Sequence, residues 1–251
     1  MEATQKARLR FAKGGDLRLV GHHDLMRLLE RMLRRASVPT AKSQGFNPRP
    51  KIVFPLALAL GIEGRREVVE LELSEPLPPD ELLGRLAAES PPGLVWLEAE
   101  SVAPGGRASR VETACYELTI PPQRRAETRA AIDSLLAAEH RLYTRKKHKG
   151  DRSTIDLRPF VLEADLNSEG LLRLRLRITP EGSARPEEVL DSLALRDLLD
   201  TGTILVRADV ELALTPTKAP LPDPETLANA NASASANSNA AADPYPNRLD
   251  P

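Results

Sequence analysis

The 251-residue chain is 41% hydrophobic and 28% charged, which is the balance of an ordinary globular protein with one large or two small domains. Its 35 Lys and Arg against 36 Asp and Glu give a net charge of −1, so total charge does not indicate a strongly basic nucleic-acid-binding protein. A single cysteine, Cys115, excludes an internal disulfide framework and any cysteine-based metal or iron–sulfur site. No apolar run is long enough to span a bilayer and the N-terminus has no hydrophobic signal core, so we expect a cytoplasmic protein.

The first half of the sequence has the periodicity of a βαββαβ unit, in which strands alternate with period two and helices repeat apolar residues at helical spacing. The elements are predicted at 6–12 (strand), 21–36 (helix), 43–64 (loop, then strand), 67–73 (strand), from Pro78-Pro79 (short helix) and 94–102 (strand). This is the order of the ferredoxin-like fold, whose first and third strands are neighbours. We therefore expect Arg8 and Arg10 to face Glu70 and Glu72 across the sheet.

The same order recurs after a predicted linker at Pro104-Gly105-Gly106, with one additional extended segment. The elements are predicted at 113–120 (strand), 123–139 (helix), 140–144 (strand), 155–165 (extended), 171–178 (strand), 186–195 (helix) and 203–214 (strand). The sequence thus predicts an α+β protein of two tandem ferredoxin-like (βαββαβ) domains, 1–103 and 104–215. Residues 216–251 are rich in Pro, Ala, Asn and Ser and cannot bury enough apolar surface to offset their ordering entropy, so we expect a disordered C-terminal tail.

The segment Ser43–Gly64 begins with the loop SQGFNPRP, which Pro48 and Pro50 exclude from a helix and Gly45 allows to bend tightly. The apolar run 52–60 that follows is expected to be buried. Two interpretations of the loop remain open. It is a structural connection into a strand, or it presents Asn47, Arg49 and Lys51 to an anionic ligand.

Positive charge is concentrated on one face of the first helix, in a basic cluster at 145–152 and in a stripe of Arg173, Arg175 and Arg177. A charge run is usually only a solvated segment, but together these residues would form a cationic surface suited to phosphate. RNA is favoured over duplex DNA because no DNA-reading motif is present and tandem βαββαβ sheets commonly bind RNA. With 3% aromatic residues, we expect recognition by phosphate and shape rather than by base stacking. The predicted RNA-contacting residues are His23, Arg27, Arg31, Arg35, Asn47, Arg49, Lys51, Arg145, Lys146, Lys147 and Lys149.

The sequence contains no recognisable self-sufficient active site. His22, His23 and Asp24 adjoin at the start of the first helix, where neighbouring residues do not converge, and no second histidine cluster has metal-ligand spacing. Phosphate-binding, dinucleotide-binding and nucleophile-elbow motifs are absent, so we expect neither a metal nor a cofactor. If the protein were an enzyme, its candidate catalytic residues would be His22, His23 and His148.

The first half resembles the bacterial radical-SAM-linked protein family, a domain of unknown function found beside or fused to a cobalamin-type radical SAM protein. The resemblance covers roughly residues 5–215, and Asp156-Leu157-Arg158-Pro159 is similar to the family's second half. The residues that carry it are Gly21, His22, Asp24, Leu25, Arg31, Arg35, Ala36, Ser43, Gly45, Phe46, Asn47, Pro48, Pro50, Pro55, Leu56, Gly61 and Glu63. The resemblance implies a radical SAM protein as the partner, and this chain lacks the three-cysteine cluster motif of such an enzyme.

These observations favour a non-enzymatic accessory protein that binds tRNA or rRNA and works with a radical SAM modification enzyme. One alternative is a metal-independent RNA endonuclease of the CRISPR repeat-processing type, which would use a histidine for acid–base chemistry. A second alternative is a protein–protein adaptor for a radical SAM enzyme that binds no nucleic acid.

Overall fold

The computed structural model describes residues 3–102, 108–146 and 152–213, except the side chain of Lys146. The elements of the first half are β1 (Gln5–Lys13), α1 (His22–Arg35), β2 (Ile52–Val53), β3 (Glu63–Leu73), α2 (Pro79–Ala88) and β4 (Leu94–Val102). The predicted strand 94–102 is confirmed to the residue, and α1 and β1 differ from their predictions by one residue at each end. The predicted linker at 104–106 and the predicted tail, 216–251, lie outside the described residues.

The two helices predicted in the second half are shorter than expected, whereas the strands predicted at 113–120 and 171–178 are found to within two residues at each end. The elements of the second half are β5 (Val111–Thr119), α3 (Arg125–Ala137), β6 (Leu142–Lys146), β7 (Arg152–Asp156), β8 (Val161–Leu166), β9 (Leu171–Thr179), β10 (Gly182–Ser183), α4 (Pro186–Ser192), α5 (Arg196–Asp200) and β11 (Val206–Leu212). The extended segment 155–165 is interrupted by a short 3-10 helix, Arg158–Phe160, because Pro159 cannot donate to a strand ladder. The helix predicted at 186–195 ends at Ser192, and Ala194 has a positive φ of 57°.

The fold is mixed α/β, with few helices and a mostly antiparallel sheet. Nine strands form this sheet in the order β10-β9-β5-β11-β3-β1-β4, while β2 pairs with β3 and β8 pairs with β9. The strand order is therefore β4-β1-β3-β2 within the first half and β11-β5-β9-β8 within the second. The pairing of β11 with β3 is parallel and joins the halves, whereas β6 and β7 form a separate hairpin. The described residues all belong to one compact unit, Met1–Ala213, and the division at residue 103 stays a prediction.

One face of the sheet carries the helices. In the first half, Leu9 and Phe11 of β1 and Leu71 of β3 pack with Leu29 of α1 and Leu82 of α2. In the second half, Ile132 and Leu135 of α3 pack with Leu172, Leu174 and Leu176 of β9. None of the helices in the described ranges is long and apolar enough to cross a membrane.

The apolar run 52–60 is not uniformly buried, so that prediction is wrong. Val53 is 39% exposed and Leu60 is 64% exposed. The strand ends at Val53, two residues before Pro55, and the chain continues as a loop rather than as a strand that is covered on both sides. Leu58 and Ile62 from this region are buried, but in the core of the second half.

The opposite face of the sheet is covered by ion pairs. Arg8 contacts Glu70 at 3.2 Å, as predicted, and Glu100 at 2.6 Å. The predicted pairing of Arg10 with this row is wrong because the register places Arg10 opposite Val68, and its guanidinium reaches Asp209 at 3.2 Å instead.

A buried ion pair lies where the two halves meet. Arg207 of β11 is 2% exposed and donates to Glu67 of β3, with one N–O distance of 2.8 Å. It also donates to the carbonyl oxygens of Ala57 and Leu56 at 3.0 and 3.1 Å. Lys13 is buried beside Glu67 and donates to the carbonyl of Val20 at 2.8 Å, and burial lowers the pKa of Lys13. These cations are thus held inside the fold.

Candidate nucleic-acid interface

Helix α1 presents a row of exposed arginines. Its buried side is formed by Leu25, Leu29, Met32 and Leu33. Arg27, Arg31 and Arg34 are exposed, and at 3.6 residues per turn they fall within an arc of about 60° on the opposite side. We call these three residues the arginine ridge. Exposed His23 precedes the ridge by one turn, so the sequence-predicted His23, Arg27 and Arg31 share a surface.

The ridge arginines keep their charge available to solvent. Arg27 contacts Asp24 at 3.3 Å in an exposed i,i+3 pair, which contributes little in water. Arg31 and Arg34 have no ion-pair partner in the described part of the chain. Arg35 differs, because its Nε and Nη2 bind the carboxylate and carbonyl of Glu89 at 2.6 and 3.0 Å. Arg35 therefore ties α1 to the end of α2.

The SQGFNPRP loop is a closed projection from the edge of the sheet. At its base the backbone N–H of Ser43 donates to Arg49 at 2.8 Å, and that of Arg49 donates to the Ser43 hydroxyl at 3.1 Å. The flanking residues join the β3 edge, since Ala41 donates to the Glu72 carbonyl and Glu72 donates to Lys51. Gly45 has a φ of 129°, a value that L side chains rarely adopt. The base of the loop is therefore closed by two hydrogen bonds, and Gly45 allows the bend that leads to the tip.

The loop and α1 form the walls of one cleft with a volume of about 600 Å³. Cations line it from both sides, with Arg34 on the helix and Lys42 and Arg49 in the loop. Glu30 and Glu75 are the carboxylates of the lining, and Glu30 lies 3.9 Å from the Arg49 guanidinium. The structure thus brings the predicted Arg49 beside the ridge.

The two remaining loop residues of the prediction are placed differently. Asn47 is exposed at the loop tip, next to Phe46, which is fully exposed. Lys51 is at the base, where its Nζ binds Glu72 at 2.7 Å. Lys51 therefore lies outside the cleft, and its charge is paired.

In the basic cluster of the second half, side chains are described only at the two ends, at Arg145 and at exposed Arg152, the first residue of β7. Arg145 binds both carboxylate oxygens of Glu188 at 2.6 and 2.7 Å and the carbonyl of Ser183 at 2.7 Å. This pairing with Glu188 raises the pKa of Arg145 and fixes β6 to α4. Lys147, His148 and Lys149 lie outside the described residues, as does the side chain of Lys146, so their roles stay predictions.

Two of the three arginines in the β9 stripe are paired with carboxylates, and only the third, Arg177, is exposed without an ion pair among the described residues. Arg173 contacts Glu117 at 3.0 Å, and Arg175 contacts Glu163 and Glu211 at 3.1 and 2.5 Å. These cross-strand partners belong to the ion pairs that cover the open face of the sheet. Available positive charge is therefore greater at the ridge and cleft than on this face.

His22 and His23 adjoin at the start of α1, with ring centroids 5.8 Å apart. The His22 ring meets Phe54 edge-on at 5.2 Å, and burial lowers the pKa of His22, with the nearby positive charges of His23 and Lys13 acting in the same direction. Among residues 3–102, 108–146 and 152–213, no group of three or more His, Cys, Asp or Glu residues is placed to hold a metal ion.

A family model described as an uncharacterized protein conserved in bacteria, DUF2344, matches residues 6–186, well over half of the chain. The chain belongs to this family. The DUF2344 match extends from β1 to the first residue of α4 and includes the ridge, the cleft and the loop. A comparison with curated proteins found no match.

In the DUF2344 chain, Arg34 and Lys42 line the cleft and Phe46 is fully exposed at the tip of the adjoining loop, and none of the three was in the predicted contact set. Helical spacing from Arg27 and Arg31 is the signal for Arg34. For Phe46 the signal is an aromatic residue between Gly45 and Asn47, in a loop without apolar neighbours that could bury it.

Proposed function

We propose that the protein binds RNA through the arginine ridge and the adjoining cleft, and that it presents this RNA, a tRNA or rRNA, to a radical SAM modification enzyme. The observation that carries the proposal is the convergence of helix and loop cations on one cleft. Arg27, Arg31 and Arg34 with Lys42 and Arg49 outnumber the neighbouring Asp24, Glu30 and Glu75. On a chain of net charge −1, this local surplus suits a polyanion, and phosphate contacts dominate affinity for nucleic acid.

The strand orders of the two halves support an RNA-binding architecture. The central strands are β1 and β3 in the first half and β5 and β9 in the second, which correspond to the first and third strands of a βαββαβ unit if the β6–β7 hairpin is an insertion, so we infer two ferredoxin-like units. Such units often bind RNA on the open sheet face. Here that face is occupied by ion pairs, so we place the contact at the helix and loop edge of the first unit.

The radical SAM partner rests on the resemblance of the α1 and SQGFNPRP segments to the radical-SAM-linked family. Cys115 is the only cysteine of this sequence, and an iron–sulfur cluster of that enzyme class needs three. The cluster would therefore be held outside these 251 residues. A protein that binds RNA while a partner enzyme carries out the modification is consistent with a cluster held outside this sequence.

Replacement of the ridge tests the proposal. The ridge variant is the triple substitution Arg27→Gln, Arg31→Gln and Arg34→Gln. The control variant is Arg110→Gln, Arg177→Gln and Arg196→Gln. The control removes the same amount of charge, from exposed arginines for which the described part of the chain shows no ion pair. Fluorescence anisotropy with labelled total tRNA, measured over a salt series, gives the affinity and its salt slope. We expect the ridge variant to weaken binding and to reduce the slope by about 0.7 per lost phosphate contact, or about 2 in total.

The control variant should bind as the unchanged protein does. An equal loss in both triple variants would mean that binding follows net charge, and the proposed surface would then be wrong. Cleavage of the RNA would favour the endonuclease alternative with His22, His23 or His148. Absence of any RNA binding would favour the adaptor alternative.

A further inference from the structure

Phe46 is a large aromatic side chain that the fold leaves entirely in water. It stands at the tip of the SQGFNPRP loop and is the most exposed of the large hydrophobic residues described. In the described ranges its ring takes part in no aromatic contact, whereas Phe11, Phe54 and Trp96 pack together in the first core. An apolar ring that is fully exposed contributes nothing to the core, so a stabilising role within the monomer does not account for it.

We propose that Phe46 stacks on an unpaired nucleobase, and that the RNA is therefore single-stranded or looped where it meets this protein. The inference rests on the proposed function and names the form of RNA that the same surface takes. Single-stranded recognition combines a cationic groove for the backbone with an aromatic face for the base. The ridge and cleft supply the groove, and Phe46 lies in the same loop, two residues before Pro48, which lines the cleft.

The immediate neighbours of Phe46 favour a nucleobase over an apolar protein surface. Gln44 and Asn47 flank the tip, and each amide can both donate to and accept from a base edge. Arg49 lies three residues on and lines the cationic cleft. A hydrophobic hot spot for a protein partner is typically surrounded by further contacts that exclude water, whereas the residues around Phe46 from Lys42 to Pro50 are polar, charged, Gly or Pro and mostly exposed.

The loop is also arranged to hold the ring without a large ordering cost. The hydrogen bonds between Ser43 and Arg49 close the base of the loop. Pro48 restricts the backbone conformation of the segment after Phe46, and Gly45 provides the bend before it. Preorganisation reduces the entropy lost on binding, so a single aromatic contact can be effective. Because a duplex keeps its bases stacked on each other, it offers no face to Phe46 away from its ends.

The experiment uses a stem–loop RNA with 2-aminopurine in its loop, and the same 2-aminopurine strand fully paired in a duplex. We compare Phe46→Ala, Phe46→Leu and Phe46→Trp in the full chain. For the stem–loop, Phe46→Ala and Phe46→Leu should bind about 5- to 150-fold more weakly, while Phe46→Trp retains affinity. For the duplex, all three variants should bind as the unchanged protein does. The 2-aminopurine emission should change on binding to the unchanged protein and to Phe46→Trp, but not to Phe46→Ala.

Other outcomes would contradict either base stacking by Phe46 or RNA binding itself. If Phe46→Ala binds the stem–loop normally while the ridge variant is weakened, the stacking inference fails and the proposed function stands. If Phe46→Leu binds as well as Phe46→Trp, the contact is apolar but not aromatic, and stacking is excluded. If neither ridge nor loop variants change binding, or no RNA binds, the proposed function itself fails, and Phe46 is then a candidate contact for a protein. Unchanged melting temperatures of the variants establish that they are folded.

Discussion

At the scale of single residues, burial separates the arginines of this protein into two groups. Arg207 is buried with Glu67 and joins β11 to β3, and Arg145 is bound to Glu188 and joins β6 to α4, so both stabilise contacts between elements. Arg27, Arg31 and Arg34 keep their guanidinium groups in water. Removing a charge should therefore reduce stability in the first group and ligand affinity in the second.

Removal of Glu67 alone should destabilise the protein strongly. In Glu67→Ala, Arg207 would stay buried without its carboxylate, and the expected loss is about 3–5 kcal/mol of unfolding free energy. The double variant Glu67→Leu with Arg207→Met should lose much less, because neither charge is then left unpaired. Urea unfolding followed by circular dichroism measures both. A double variant as unstable as Glu67→Ala would contradict this account and assign the effect to packing alone.

At the scale of elements, the strongest periodic segments were predictable and the irregular ones were not. Alternation located β1, whose apolar Leu9 and Phe11 are buried while Arg8 and Arg10 on its other side are only partly covered, and leucine spacing located α1, which has one buried and one exposed side. The run 52–60 was misjudged because composition cannot tell a strand from an apolar loop whose side chains divide between two cores. Likewise, the sequence placed cations in α1 but could not show that Arg35 is paired, since Glu89 is 54 residues away.

Substitution of Gly45 tests whether the backbone conformation of the SQGFNPRP loop matters for RNA binding. A Cβ at this position would meet no atom within 4 Å, but the φ of 129° is one that alanine rarely adopts. The strain, on the order of 1–3 kcal/mol, should make the exposed tip change conformation rather than unfold the core. We therefore expect Gly45→Ala to weaken stem–loop RNA binding to the level of Phe46→Ala, with little change in melting temperature.

Gly84→Ala is the matched control for this prediction. Gly84 lies within α2, where an added Cβ would also meet no atom within 4 Å, and its backbone is that of an ordinary helix. Alanine there should stabilise the helix by about 1 kcal/mol and leave RNA affinity unchanged. If Gly45→Ala binds RNA normally, the conformation of the tip is not what positions Phe46.

At the scale of the whole molecule, the two halves form one sheet through the pairing of β11 with β3, which the sequence pattern did not predict. The periodicity predicts the elements of each half separately. Their union depends on contacts between residues that are far apart in the chain, such as Arg207 with Glu67 and Arg10 with Asp209. Leu58 and Ile62 belong to the first half of the sequence but pack in the core of the second half. Local patterns carry no information about such pairings, so only the structure could reveal one continuous sheet.

These shared contacts predict that the halves unfold together. Trp96, the only tryptophan, lies in β4 of the first half, where its ring is 5.7 Å from that of Phe11, so its fluorescence reports on that half. Leu135→Ala removes a fully buried side chain from α3 in the second half and should cost about 2–5 kcal/mol. If unfolding is cooperative, the urea midpoint measured by Trp96 should fall as much as the midpoint measured by circular dichroism. Leu142→Ala, at a leucine that is 71% exposed, should move neither midpoint. A Trp96 transition that Leu135→Ala leaves in place would instead mean that the first half folds independently of the second.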